Sequence, residues 1–204
     1  MKNTFQFLVL IFSFLVFTVA LYAQSESISK VPKQISIEFG YRNSFYKNTR
    51  LSNDGSTTGT LNNATNGYGF LVDYAWQLSG LNAKKPAIFL SVPIGYSVLL
   101  PDNGLSKRIS MLNYGWTVRH ELSTNRKIIP FIGYGLFLNN LKIEGTEGSV
   151  TGHQTQFEFG TNFNTDKRLK YFAKIQCSYS SYPKLNDTKS LHFMYADLRV
   201  GVRF

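Results

Sequence analysis

The sequence predicts an all-β fold, an eight-stranded antiparallel up-and-down transmembrane β-barrel preceded by a cleaved signal peptide. Three observations lead to it: repeated two-residue alternation along the chain, an unusual composition, and an aromatic final residue. Aromatic residues make up 15% of the chain and charged residues only 17%, which is high and low, respectively, for a soluble domain. No stretch after the N-terminus has the roughly 18 consecutive apolar residues of a membrane-spanning helix.

The last segment, 192–204, alternates strictly and stops on Phe204. Such a period of two is that of a strand whose faces meet different media, whereas the ends of soluble domains commonly fray into polar tails. This end resembles the C-terminal signal of bacterial outer-membrane β-barrels, a final alternating strand closed by phenylalanine. The resemblance implies an assembly role for five residues: Tyr195, Leu198, Val200, Val202 and Phe204.

The N-terminus has the pattern of an export signal. Lys2 supplies a basic start, residues 7–20 are almost wholly apolar, and Ala23 offers a small residue for cleavage. The alternative, an uncleaved anchor, is disfavoured because the apolar core is shorter than a bilayer requires. We expect a signal peptide over 1–23, a short periplasmic segment over 24–33 and a barrel domain over 34–204. The single cysteine, Cys177, excludes an intrachain disulfide.

The first four strands are predicted over 34–46, 67–78, 87–99 and 109–122. Each carries aromatic or branched aliphatic side chains on one face, such as Phe39, Phe70, Ile94 and Trp116, and glycine, serine or charged residues on the other. The third strand contains Pro93, which lacks a backbone donor for the ladder and is therefore expected at a bulge.

The last four strands are predicted over 127–138, 153–163, 169–179 and 192–204, again with one apolar face. The connections alternate in length, long over 47–66, 100–107, 139–152 and 180–190, and short over 79–86, 123–126 and 164–168. Outer-membrane barrels show this asymmetry, with short periplasmic turns and longer extracellular loops. We therefore expect both chain ends on the periplasmic side, and positions 53–55 and 187–188 outside the cell.

Alternation alone does not tell which face points inward, and a soluble lipocalin-like barrel would bury the apolar one. An eight-stranded barrel has an interior only wide enough for its side chains, and the aromatic face would crowd it. The glycine-rich, charged face is therefore predicted to line the lumen. Charges of both signs there should pair and leave no open pore; the predicted lumen network comprises Glu38, Arg42, Asp73, Arg119, Glu158, Lys170, Lys174, Asp197, Arg199 and Arg203.

Over residues 34–204 the chain resembles the small eight-stranded outer-membrane barrels, the OmpA-transmembrane-domain and OmpX-like group, and also the PorT-like barrel domains. The resemblance implies a Gram-negative outer-membrane location and handling by the barrel-assembly machinery. It rests on patterns rather than signature residues, so it carries little about activity.

No cofactor, metal or catalytic site is predicted. The three histidines, His120, His153 and His192, lack the spacing of metal ligands, and there is no phosphate-binding loop, dinucleotide fingerprint or nucleophile elbow. One enzymatic alternative stays open. PagL-like lipid A deacylases place His and Ser on the lipid-facing wall, oriented by Glu; here His153 and Thr155 share an outer face, with Glu144 and Glu147 nearby in sequence, but the family's His-x-Ser-Asn pattern is absent.

The expected function is a non-enzymatic barrel with a structural or surface-interaction role through its extracellular loops. Alternatives are an accessory barrel of a secretion or assembly machine, as in PorT-like proteins, and the lipid A deacylase. The net charge of +10 is compatible with scattered surface charge that aids solubility, and more specifically with attraction to the phosphates of lipopolysaccharide or to acidic surface polymers. The expected partners are outer-membrane lipid and lipopolysaccharide, the assembly machinery, and a surface or secretion-machine protein. Nucleic acid is disfavoured because the basic residues form no stripe.

Overall fold

Eight antiparallel strands close into a barrel in chain order. The computed structural model describes residues 32–48, 66–79, 86–100, 108–123, 127–145, 147–163, 169–183 and 191–204. Each strand pairs with its sequence neighbours, and β8 pairs back to β1. The strands are β1 (Lys33–Asn48), β2 (Asn66–Ser79), β3 (Ile88–Leu100), β4 (Ile109–Glu121), β5 (Ile128–Ile143), β6 (Val150–Phe163), β7 (Lys170–Tyr182) and β8 (Leu191–Arg203). The predicted eight-stranded antiparallel barrel is confirmed.

Within the described ranges, no helix is long and apolar enough to cross a membrane. The predicted signal peptide over 1–23 lies outside the described residues, and so do loop positions 53–55 and 187–188. The predicted sidedness of the loops therefore stays a prediction. We call the end of the barrel that carries Lys33 and Phe204 the terminal end, and the opposite end the distal end.

The wall of the barrel is apolar outside and polar inside over most of its height. Phe39 and Phe157 are 56% and 69% exposed, whereas the adjacent inward residues Glu38 and Glu158 are 2% and 7% exposed. Apolar side chains can remain exposed in this way where the surrounding medium is lipid rather than water. The predicted choice of inner face is correct.

This polarity reverses at the distal end. In β5, Leu141 and Ile143 point inward and are buried, while Lys142 between them is exposed. In β6, Val150 is buried and Thr151 is exposed. The wall here has the pattern of a soluble barrel, apolar inside and polar outside, so these strand ends rise beyond the apolar belt.

The reversal explains the errors in predicted strand ends. The segment 139–152 was expected to be a long loop, but β5 continues to Ile143 and β6 begins at Val150, joined over 144–149. Gly145 and Gly148 adopt positive φ angles of 76° and 87° in this tight turn. β7 likewise extends to Tyr182, into the predicted loop 180–190. The predicted alternation of long and short connections is therefore wrong at β5–β6. It also fails at β3–β4, whose connection over 101–108 has the same eight residues as the β2–β3 connection over 80–87.

Pro93 does not lie at a bulge. The β3–β4 pairs run from Ser91↔Thr117 to Ile94↔Tyr114 in the same register, with no pair formed at Pro93. The missing donor thus interrupts the ladder locally without shifting it. Register shifts occur instead between Ser44 and Tyr46 on the β1–β8 pair and between Gln77 and Ser79 on the β2–β3 pair.

Candidate functional site

The middle of the lumen contains a carboxylate shared by two arginines. Asp197 on β8 receives Arg42 Nε at 2.7 Å and Arg42 Nη2 at 2.8 Å, a bidentate contact. Arg199 Nη2 reaches the same carboxylate at 3.1 Å. Arg42 also donates to Ser97 Oγ at 3.0 Å and stacks over the Tyr195 ring at 4.6 Å. Arg42 and Asp197 are each 1% exposed, so these contacts must compensate both charges for the loss of their hydrating water.

A second ion-pair group lies beside the first. Lys174 on β7 is 2.9 Å from Glu38 and 2.8 Å from Glu158, so one ammonium bridges carboxylates on β1 and β6. All three side chains are buried. Together the two groups link β1, β6, β7 and β8 through charges.

Glycines directly across from the long charged residues make room for them. Gly133 is paired with Glu158, and a Cβ at Gly133 would lie 2.7 Å from the Glu158 side chain. Gly40 is paired with Arg199, and a Cβ there would lie 2.4 Å from Arg199 Cγ. Real Cβ atoms essentially never approach so closely, so the inner-face glycines are part of the charge arrangement.

At the terminal end two arginines lie against aromatic rings. Arg119 is 4.4 Å from the centroid of the Phe89 ring, and Arg203 is 4.1 Å from that of Phe172. Both guanidinium groups also contact Phe131, at 5.7 and 5.0 Å. These distances are those of cation–π contacts, which fill this part of the lumen with flat, stacked groups.

Hydrogen bonds complete the terminal end. Arg203 donates to the side-chain oxygen of Asn162, and Asn162 donates to Glu121 at 3.1 Å. Arg119 donates to Gln34 at 3.0 Å. Lys170 is half-buried here and interacts electrostatically with Glu121.

A small polar cavity of about 10 Å³ separates the ion pairs from the arginine stacks, lined among others by Asp73, Glu158, Lys174, Arg119 and Arg203. This is about the size needed for one water molecule. Ser36 Oγ donates to Asp73 at 3.4 Å at its edge. A cavity this small breaks the packing of the lumen only locally.

The distal end is filled by an apolar cluster, which we call the distal plug: Leu99, Ile109, Met111, Leu141, Ile143, Val150, Tyr182, Leu191, Phe193 and Tyr195. Phe193 stacks on Tyr195 at 5.6 Å and meets Tyr182 edge-on at 5.9 Å. The Tyr195 hydroxyl donates to Met111 Sδ at 3.4 Å. These rings and aliphatic groups close the lumen above the charged middle.

The structure brings most of the predicted lumen network together. Ion pairs join Glu38, Glu158 and Lys174, and join Arg42, Asp197 and Arg199. Asp73, Arg119 and Arg203 lie around the cavity, and Lys170 stays apart at the terminal end. In the predicted assembly signal, Leu198, Val200 and Phe204 are exposed on the outer wall, Val202 is half-buried, and Tyr195 faces inward, fully buried in the distal plug.

Two sets of lumen residues are absent from the network predicted from the sequence. Glu121, Gln34 and Asn162 lie on the inner face by alternation, so the face assignment alone was sufficient to find them. The distal plug was not predicted because several of its members lie in the segments predicted as connections, 139–152 and 180–190. Continued alternation with reversed polarity, as in Leu141-Lys142-Ile143, was the signal.

The elements of the enzymatic alternative are spread over the rim of the barrel. His153 and Thr155 do share the outer face of β6, but the strand register places Ser181, not Thr155, beside His153. Glu144 accepts a hydrogen bond from the backbone N–H of Arg108 at 3.3 Å, on the side of β4. Among the described residues no group of three or more His, Cys, Asp or Glu side chains is placed to hold a metal ion.

Comparison with known proteins yields matches to solved structures alone. No protein-family model matches the chain, and no curated protein does. Neisserial surface protein A matches with 13% identity and a TM-score of 0.60, covering 86% of this chain and 98% of that one. OprG from Pseudomonas aeruginosa matches with 12% identity and a TM-score of 0.53, covering 86% and 97%. The outer membrane enzyme PagL matches with 12% identity and a TM-score of 0.46, covering 81% and 97%. At such identities the likeness is one of fold, that of small outer-membrane β-barrels.

Proposed function

We propose that the protein is a non-enzymatic barrel with a closed lumen, which acts at the distal surface of the outer membrane in a structural or surface-interaction role. One observation carries the proposal: the lumen is filled along its height. The distal plug closes one end, the ion pairs of Asp197 and Lys174 fill the middle, and Arg119 and Arg203 stack on aromatic rings at the terminal end.

An outer-membrane location agrees with the exposed apolar belt and with the shared fold. A filled lumen leaves the outer wall and the distal surface as the places where a partner binds. At that surface, β5 and β6 carry polar groups such as Lys142 and Thr151 beyond the apolar belt. The partners that fit are the phosphate-bearing headgroups of lipopolysaccharide, or a protein at the cell surface.

The closed lumen is tested by conductance. Purified protein reconstituted into planar bilayers should show no steady conductance steps. A porin reconstituted in the same way is the positive control. The cavity of about 10 Å³ beside Asp73 is too small by itself to form a continuous water path. Stable, ion-selective steps from the folded monomer would contradict the proposal and favour small-solute transport.

The surface role is tested by a pair of connection variants. In one, the connection 49–65 at the distal end is replaced by a short turn; in the matched control, the connection 122–127 at the terminal end is altered instead. We expect a deletion strain to recover its surface phenotype with the control variant and not with the distal one. Full recovery with both would show that the distal connection is not needed.

The non-enzymatic part is tested separately, by mass spectrometry of lipid A from cells with and without the protein. Identical acyl chains are expected, because the register places His153 beside Ser181 of β7 whereas Glu144 accepts a hydrogen bond from the backbone of Arg108, next to β4. Loss of an acyl chain only when the protein is present would overturn this part and restore the deacylase.

A further inference from the structure

Two of the three histidines of the chain lie in one row on the outer wall at the distal end. His153 on β6 is paired with Ser181 on β7, and Ser181 is paired with His192 on β8. The side chains of His153, Ser181 and His192 all point outward, beyond the apolar belt, with His153 exposed and the others half-exposed. The register thus places one imidazole on each side of the small residue Ser181.

The spacing of this row suits a shared metal ion. Neighbouring strands lie about 4.7–4.9 Å apart, so the backbones of His153 and His192 are about 10 Å apart across β7. An imidazole nitrogen binds zinc at about 2.0–2.1 Å, and two histidine side chains reaching over Ser181 can meet at one ion.

Tyr179 orients one of these rings. Its hydroxyl lies 2.8 Å from His192 Nδ1, and the two rings stack at 6.0 Å with an interplanar angle of 15°. In the tautomer in which Nδ1 carries the proton, the ring donates to the Tyr179 oxygen and Nε2 carries the lone pair. Metal-binding histidines are commonly oriented by such a bond from their second nitrogen.

We propose that His153 and His192 bind one borderline divalent metal ion, such as Zn²⁺ or Cu²⁺, across Ser181 on the distal rim. Imidazole suits these ions, whereas Mg²⁺ and Ca²⁺ prefer oxygen ligands. The two imidazoles supply two ligands of the ion, and other ligands such as water complete its coordination. The proposal is independent of the closed lumen and of the surface role.

Metal binding would link β6 to β8 across β7 at the distal end. The two histidines come together only when the strands are paired in the native register, so the ion binds the folded barrel and stabilises it by mass action. The thermal midpoint should rise with Zn²⁺ concentration and stay constant with Mg²⁺. Affinity should fall on acidification, because protonated imidazoles do not bind metal.

The test uses folded protein in detergent micelles without a histidine tag, titrated with Zn²⁺ in a calorimeter. Wild type should bind one ion per barrel. His153→Ala and His192→Ala should each weaken binding at least tenfold. Tyr179→Phe, which keeps the ring and removes the hydroxyl, should weaken it by a smaller factor. The matched control is His120→Ala, since His120 also stacks on a tyrosine of the outer wall, Tyr134, at 5.9 Å.

Folding of each variant is checked by the difference in gel migration between boiled and unboiled samples. Electron paramagnetic resonance with Cu²⁺ gives a second measurement, with nitrogen hyperfine coupling expected from two imidazoles in wild type and from one in each single variant. Unchanged affinity in His153→Ala/His192→Ala, equal weakening by His120→Ala, or a copper spectrum without nitrogen coupling would each overturn the proposal.

Discussion

The charged middle of the lumen and the distal plug fill the same barrel by opposite means. In the middle, inward Asp197 and Lys174 form ion pairs with residues on adjacent strands, while outward residues such as Leu198 are exposed and apolar. In the distal plug, inward Leu141 and Phe193 are fully buried, and outward Lys142 is exposed.

The difference shows that the surroundings of a strand, rather than the strand itself, decide which face is apolar. Where the wall faces lipid, the outer positions are apolar, and the polar inner side chains must form hydrogen bonds and ion pairs with one another. Where the wall rises out of lipid, the ordinary rule of soluble proteins returns and the core becomes apolar. The four predictions below separate the two regions.

The largest effect is expected from Asp197→Ala. The change leaves the buried guanidinium groups of Arg42 and Arg199 without their shared carboxylate. Breaking a buried ion pair by removing one partner costs about 3–5 kcal/mol. Urea unfolding of the barrel in lipid vesicles measures this loss in the free energy of unfolding. Asp197→Asn keeps the shape and part of the hydrogen bonding, so it should cost less; a loss below about 1 kcal/mol for Asp197→Ala would show that the middle does not depend on this pair.

The next largest effect is expected from Leu141→Ala in the distal plug, where the loss of packing contacts should lower the free energy of unfolding. Deleting a fully buried leucine side chain costs about 2–5 kcal/mol, and Leu141 is 0% exposed. The neighbouring Lys142→Ala should change the free energy of unfolding by less than about 0.5 kcal/mol, because this side chain points outward. Equal effects at the two positions would contradict the reversed polarity of the distal end.

Placing a lysine on the outer wall should separate lipid-facing from water-facing positions. Leu198→Lys puts a charge on the apolar belt and should cost about 2–4 kcal/mol, whereas Thr151→Lys beyond the belt should cost about 0–1 kcal/mol. Unfolding in lipid vesicles again gives the comparison. Similar costs at Leu198 and Thr151 would mean that the apolar belt extends to the distal rim.

The smallest of these effects is expected from Glu158→Gln. Lys174 keeps its contact with Glu38 at 2.9 Å after the change, so one charge remains paired. Loss of a hydrogen-bonded partner with the other left in place costs about 1–3 kcal/mol. A double variant, Glu38→Gln/Glu158→Gln, should cost more than the sum of the single changes, because only then does Lys174 lose both carboxylates. Simple additivity would show that Lys174 finds another partner.

Much of the barrel was predictable because alternation is a local property. The number of strands, the inner face and the ten charged lumen residues follow from which positions share a face. The particular pairings do not, because Lys174 on β7 and Glu38 on β1 lie on either side of β8, and these strands come together only when the barrel closes. Alternation gives the face of each residue and not its height, so cross-lumen partners need the register.

The distal strand ends were mispredicted for a physical reason. The predicted strands end with the last apolar residue of the outer face, Leu138 in β5 and Tyr179 in β7, before the outward polar residues Asn140 and Ser181. The backbone ladder continues past these points to Ile143 and Tyr182, because hydrogen bonding between strands does not depend on the medium outside. The end of the apolar belt and the end of the strand are separate boundaries.

The seam between β1 and β8 has a consequence for how the barrel forms. Arg42 and Asp197 are directly paired across that seam and are separated by 155 positions in the chain. Contacts so distant in sequence form late, because a long loop must close first. Until then β1 and β8 are both open edges, able to pair with other chains. A shift of the β1–β8 register by one residue would turn one of the two charges toward lipid. The arginine–aspartate pair therefore favours the native register when β1 and β8 pair.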